Sequence, residues 1–205
     1  MLKTIIKKFP VIGYLAIILS LTSCVETVVV ASLSGGAVAI REKSINNTQK
    51  DVLIASKLGT TFFANGLKNP GNSVDISVNE GRVLLTGIVR SPNKAKLAQE
   101  YAWKVDNVKE VIDEIQIRQD SLKARDFSSA FIDYLITWQL ESKLLFSSKV
   151  HSINYKITTV NKTVYLLGIA NDNAEMQNVL DQASKIKGVN KVVNHLLLIN
   201  DAKRK

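Results

Sequence analysis

The chain has 205 residues, with 27 Lys and Arg against 18 Asp and Glu, a net charge of +9 and a single cysteine. That length holds one or two small domains, and the lone cysteine excludes an intramolecular disulfide. A basic surplus suits nucleic acid or anionic lipid, and the first residues decide between them.

Lys3, Lys7 and Lys8 precede an apolar run from Val11 to Leu19, the order of a secretory signal peptide. The run is short of the roughly 20 apolar residues of a membrane span. It ends at Leu21-Thr22-Ser23-Cys24, which resembles the lipobox of bacterial lipoproteins. The resemblance implies cleavage before Cys24, a diacylglycerol on its sulfur and an acyl chain, such as palmitate, on the new amine. Stable anchoring needs more than one chain at about 0.8 kcal/mol per buried CH₂. No other cofactor is expected. Val25 stands where lipoproteins of the enterobacterial type carry Asp for inner-membrane retention, so the resemblance favours the outer membrane, facing the periplasm. Export removes nucleic acid as a partner. Without the leader, 24 basic residues face 18 acidic ones, and anionic phospholipid or plain solubility accounts for the excess. Residues 24–50 are read as a lipidated tether, either lying at the lipid interface or packing on a domain.

An internal repeat organises the rest. The stretch from Val74 to Ile117 lies over Tyr155 to Leu198 without a gap, placing Gly87 on Gly168 and Val108 on Val189, 81 positions apart. Upstream, Ile54 and Leu58 match Ile136 and Leu140 at a separation of 82. Each unit predicts a helix (about 51–65 and about 127–146), a strand alternating at Val74, Ile76 and Val78 or at Tyr155 and Ile157, a turn at Asn79-Glu80-Gly81 or Asn161-Lys162-Thr163, and a second strand. A second helix follows, capped at Ser91-Pro92 in the first unit and stopped by Gly188 in the second, and then a last strand. Val83, Leu85, Val164 and Leu166 are expected to alternate with exposed neighbours. Gly87 and Gly168, inside strand patterns, predict a bulge or a close backbone approach. The fold class is therefore α/β, an open-faced α+β sandwich in two tandem copies. Each copy is helix-strand-strand-helix-strand, with two helices on one face of a small mixed three-stranded sheet. The expected boundaries are 1–23 for the signal peptide, 51–118 and 126–199 for the domains, 119–125 for a linker and 200–205 for a basic tail.

The V-x-L-x-G strands and the terminal Gly/Asn-Val-x-x-Val pattern resemble the BON domain of bacterial envelope proteins. Two such domains after a lipobox resemble the dual-BON outer-membrane lipoproteins. That likeness implies an envelope protein that binds anionic phospholipid through its second domain, supports outer-membrane integrity and is associated with the division site.

Little points to catalysis. His151 and His195 lack further ligands at metal spacing, and Ser34-Gly35-Gly36 lacks the lysine and setting of a phosphate loop. Glu110, Asp113 and Glu114 read as a solvated strand edge. A non-enzymatic protein is expected.

The first helices of the two units differ. In the second, Ile132, Leu135, Ile136, Leu140 and Leu144 form a core stripe, while Phe127, Phe131, Tyr134, Trp138 and Leu145 fall on the opposite side at 100° per residue. In the first, Ile54, Leu58 and Phe62 are the stripe, and Ser56 and Thr60 share the other side with Leu53 and Phe63. The second apolar face is covered by the first domain or the tether, inserts into membrane beside Lys143, Lys149 and Lys203-Arg204-Lys205, or meets a protein. In that last case the chain is an interaction module for an outer-membrane assembly or division partner. In the family this helix begins with an Asp-x-Trp-Ile-Thr-like run. Asp133, Ile136 and Thr137 fit it, Leu135 stands where the tryptophan would, and Trp138 lies three residues on.

Overall fold

A computed structural model describes the backbone over residues 38–118 and 124–204, and side chains over 47–118 and 128–204. The first repeat comprises α1 (Val38–Ala64), β1 (Lys68–Asn69), β2 (Asn72–Asn79), β3 (Arg82–Val89), α2 (Pro92–Trp103), β4 (Glu110–Asp113) and β5 (Gln116–Ile117). The second comprises α3 (Ala124–Leu145), β6 (Tyr155–Val160), β7 (Thr163–Ala170), α4 (Asn173–Ser184) and β8 (Lys191–Leu198). The α1 helix begins well before residue 51, so part of the expected tether is helical.

In each sheet the central strand pairs antiparallel with its hairpin partner and parallel with the strand after the helix, as in β2-β3-β4 and β6-β7-β8. The second sheet has the three expected strands. The first adds the short β1 on its edge, and its last strand is split into β4 and β5 where the Asp113 carboxylate accepts the Ile115 amide at 3.0 Å. The second helix stops at Ser184, earlier than Gly188, which lies in the following loop with φ +97°.

Both hairpins turn on two residues at positive φ: Glu80 (51°) and Gly81 (79°), Asn161 (49°) and Lys162 (61°). This is the arrangement whose twist matches that of the strands. Three of the four are not glycine, and one device recurs to hold them. Asp51 accepts the amides of Glu80 and Gly81 at 2.7 and 2.8 Å; Asp133 accepts those of Asn161 and Lys162 at 2.7 and 2.8 Å. A carboxylate at the same point of each first helix thus clamps the turn beyond it.

Each repeat keeps its own core under its helices. Ile54, Leu58 and Phe62 pack with Val74, Val83 and Leu85, and Ile136, Leu140 and Leu144 with Val164 and Leu166. The expected exposed neighbours are the main departure: Leu84, Tyr165 and Leu167 are buried as well. They form a third apolar cluster with Val160, flanked by Ile88, Ile112 and Val193. The sheets are therefore not open-faced. Their outer faces meet, giving four layers in the order helices, sheet, sheet, helices.

Positions equivalent in the repeat touch one another across this contact. Ser77 Oγ lies 3.3 Å from Thr158 Oγ1, and Glu114 Oε1 lies 3.0 Å from His195 Nε2. Equivalent residues meet only near a local two-fold axis, so the two copies pack as an isologous pair. Buried Arg82 bonds Glu110 at 2.6 Å and the His195 carbonyl at 2.9 Å. Glu110 and Glu114 are thus parts of this seam and not a solvated edge. Arg204 closes it with two bonds to Glu80, at 2.9 and 2.8 Å. That pairing holds the Glu80 carboxyl below its ordinary range against the opposing pull of burial.

Candidate functional site

The α3 helix is built by competition between its two sides. Ile136, Leu140 and Leu144 are almost fully buried and orient the helix on its sheet; Thr137 Oγ1, 2.8 Å from Thr159 Oγ1, ties one flank to β6. Phe131, Tyr134, Trp138 and Leu145 are then turned outward and stay 62%, 64%, 55% and 66% exposed. Lys143 is exposed too. Four of the six residues expected to form the binding face thus share one side of the helix, while Lys143 lies on a flank, about 140° from Trp138 by helical angle. Phe127 belongs to α3, but its side chain lies outside the described residues, as does Cys24.

Two assignments to the core stripe need correction. Ile132 is exposed and Leu135 only half-buried, because Asp133 swings inward to clamp the hairpin and takes the first buried position of the helix. Leu135, where the family tryptophan would stand, is therefore a flank residue, and Trp138 carries the exposed indole. A third correction concerns the tail: Arg204 is held by Glu80, so it is not free to meet a headgroup.

Two further large apolar side chains of the second repeat are exposed beyond the expected residues. Phe146 and Ile153 are exposed just past the helix end. Phe146 follows Leu145 directly, so the apolar face could have been traced one residue further. Ile153 lies in a single 3₁₀ turn, Ser152–Asn154, without periodicity to mark it. The first repeat does not cover this face, since it is committed to the opposite side of the sheet. Among the described residues Lys143 and Lys149 make no ion pair, whereas Lys57, Lys68 and Lys96 in the first repeat pair with Asp106, Asp75 and Glu100. Exposed aromatic rings and exposed ammonium groups carried by one small domain can enter an interface that is apolar below and anionic above.

Among the described residues, no group of three or more His, Cys, Asp and Glu could hold a metal. No described helix is long and apolar enough to cross a membrane.

The BON domain matches residues 50–119 and 133–200. An uncharacterised protein of Anaplasma centrale, encoded in the gshII 5′ region, is 35% identical over 72% of this chain and 94% of its own length. The outer membrane lipoprotein DolP of Haemophilus influenzae is 30% identical over 87% of this chain and 92% of its own. The osmotically-inducible protein Y of Escherichia coli is 30% identical over 60% of this chain and 62% of its own.

Proposed function

The chain belongs to the BON-domain family, and from that premise we propose that it is a non-enzymatic envelope protein, lipid-anchored through Cys24 in the outer membrane, whose second repeat binds anionic phospholipid. The observation that carries this reading is the exposed face of Phe131, Tyr134, Trp138 and Leu145 on a helix whose other side is already buried in its own core. A contiguous apolar patch of this kind marks a contact surface, and aromatic rings suit the lipid interface. The likeness to an outer membrane lipoprotein over most of both chains supports the location. Binding to the membrane in which the protein is anchored would serve envelope integrity, and the division site is the proposed setting.

The test is co-sedimentation of the mature chain, residues 24–205 with Cys24→Ala, on vesicles of mixed phosphatidylglycerol and phosphatidylcholine. Trp138→Ala should weaken binding by somewhat under tenfold, the effect of about 1 kcal/mol from a partly inserted ring, with thermal unfolding nearly unchanged. Undiminished binding by the variant would move lipid recognition off this helix. Failure of the unsubstituted chain to bind vesicles, with capture of an outer-membrane assembly protein that Trp138→Ala abolishes, would establish the interaction-module reading instead.

The anchor has its own test. Labelled palmitate should enter the wild-type chain and not Cys24→Ala, and the wild type should begin at Cys24. An unlabelled wild-type chain that retains its leader would refute the lipoprotein assignment.

A further inference from the structure

The internal repeat supplies a comparison within the molecule. In the first repeat, a groove of about 480 Å³ between α1 and α2 is lined by Ser56, Lys57, Thr60, Thr61, Lys104 and Asp106, among others. Its cations have partners in the chain: Lys57 Nζ lies 3.2 Å from Asp106, and Lys104 Nζ stands 5.7 Å over the ring of Tyr101. At the equivalent positions of the second repeat, Trp138 replaces Ser56, Gln139 replaces Lys57, Lys143 replaces Thr61, Lys185 keeps the place of Lys104 and Lys187 replaces Asp106. The positions of the Lys57–Asp106 pair are thus held by Gln139 and Lys187, and that of the Tyr101 ring by Gln182.

Lys143, Lys185 and Lys187 are all exposed, and none makes an ion pair among the described residues. Asp181, one turn before Lys185, is exposed and makes no ion pair with it; exposed Glu141 lies about 160° from Lys143 by helical angle, on the aromatic side of α3 beside Tyr134 and Leu145. The loop that carries the two lysines is set against α3. A Cβ on Gly188 would lie 3.5 Å from Ile136 Cδ1, and its φ of +97° turns the chain there.

We propose that Lys143, Lys185 and Lys187 form a cationic rim that takes the phosphate of an anionic lipid headgroup beside the Trp138 face. Three ammonium groups without an ion pair among the described residues, at positions equivalent to the lining of the first repeat's groove, favour an external counter-anion, which a lipid phosphate beside the inserted rings would supply. The proposal rests on the membrane reading of α3 and adds to it the second helix of the repeat and its loop.

Vesicle co-sedimentation of the mature chain with Cys24→Ala, which keeps every described residue, separates the two claims. With phosphatidylglycerol and phosphatidylcholine vesicles, the double variant Lys185→Gln, Lys187→Gln should lose about tenfold to thirtyfold in affinity. Its salt dependence should flatten, and its thermal unfolding should match the parent. The charge-retaining Lys185→Arg, Lys187→Arg should bind as the parent does, which keeps the test decisive if the glutamine variant is destabilised. Lys156→Gln should change nothing, since Lys156 acts on Asp51 of the first repeat. If the parent binds, Trp138→Ala weakens binding and the double glutamine variant binds as tightly as the parent, the rim is refuted and the aromatic reading stands. If the parent does not bind at all, both fail.

Discussion

Gly87→Ala is expected to be the most damaging single substitution in the first repeat, lowering its stability by more than about 4 kcal/mol, the range in which single mutations are exceptional. Gly87 lies in the central strand β3 opposite Val74, at φ +107°, a conformation that costs other residues about 1–3 kcal/mol. Worse, an added Cβ would stand 1.9 Å from the Ser73 carbonyl oxygen and 3.0 Å from its carbon. Both atoms are backbone, so β2 and β3 must separate to admit the methyl group. The same approach recurs at Gly168, where a Cβ would lie 2.2 Å from the Asn154 oxygen. Small domains hold a margin of only about 5–15 kcal/mol, and the repeats share a buried seam, so loss of one sheet exposes Tyr165 and Leu167 of the other. Urea unfolding monitored by circular dichroism measures the effect. A Gly87→Ala protein with the parent's midpoint would contradict the close approach of the two strands.

Leu140→Ala should cost about 2–5 kcal/mol of stability, the range for emptying a buried leucine site. Leu140 is fully buried among Ile136, Leu144, Val164 and Leu166, and it anchors the middle of the helix whose opposite side presents Trp138. The substitution and Trp138→Ala are two residues apart in sequence and should separate cleanly in behaviour: the first shifts thermal unfolding, the second shifts vesicle binding. Any loss of membrane affinity in Leu140→Ala should disappear when binding is measured well below its unfolding temperature, because the exposed rings are untouched. An unfolding midpoint equal to the parent's would mean that Leu140 is not a core residue and that the assignment of the two faces is inverted.

Strand order, the helix that follows each hairpin, and the role of Gly87 and Gly168 were legible because they leave local marks: period-two alternation, turn residues, glycine inside a strand. The repeat made those marks redundant, since each element is stated twice. The aromatic face of α3 was legible for the same reason, as rings at 100° spacing opposite an aliphatic stripe describe an outward surface whatever the surroundings.

Asp51 and Asp133 left no such mark. Each is a carboxylate at the edge of a helix, ordinary in sequence, and its clamp on two turn amides depends on a hairpin 28 to 30 residues further on. Ile132 is exposed for that reason, because helical spacing does not specify which of two adjacent residues a distant turn draws inward. Glu110 and Glu114 are likewise ordinary strand-edge acids in sequence. Their partners, Arg82 and His195, become neighbours only when strands far apart in the chain are laid together.

The sequence by itself thus determined the family of the protein, its duplicated fold and the outward side of α3 at Phe131, Tyr134, Trp138 and Leu145, since each is a pattern held within one element or copied in the repeat. Only the tertiary structure decided that the sheets are closed against each other, so that Leu84, Tyr165 and Leu167 are core and α3 keeps its outer face free. Burial of a sheet's second face depends on what another domain brings to it, and alternation along a strand records only that one face is apolar, not whether its neighbours will find a partner.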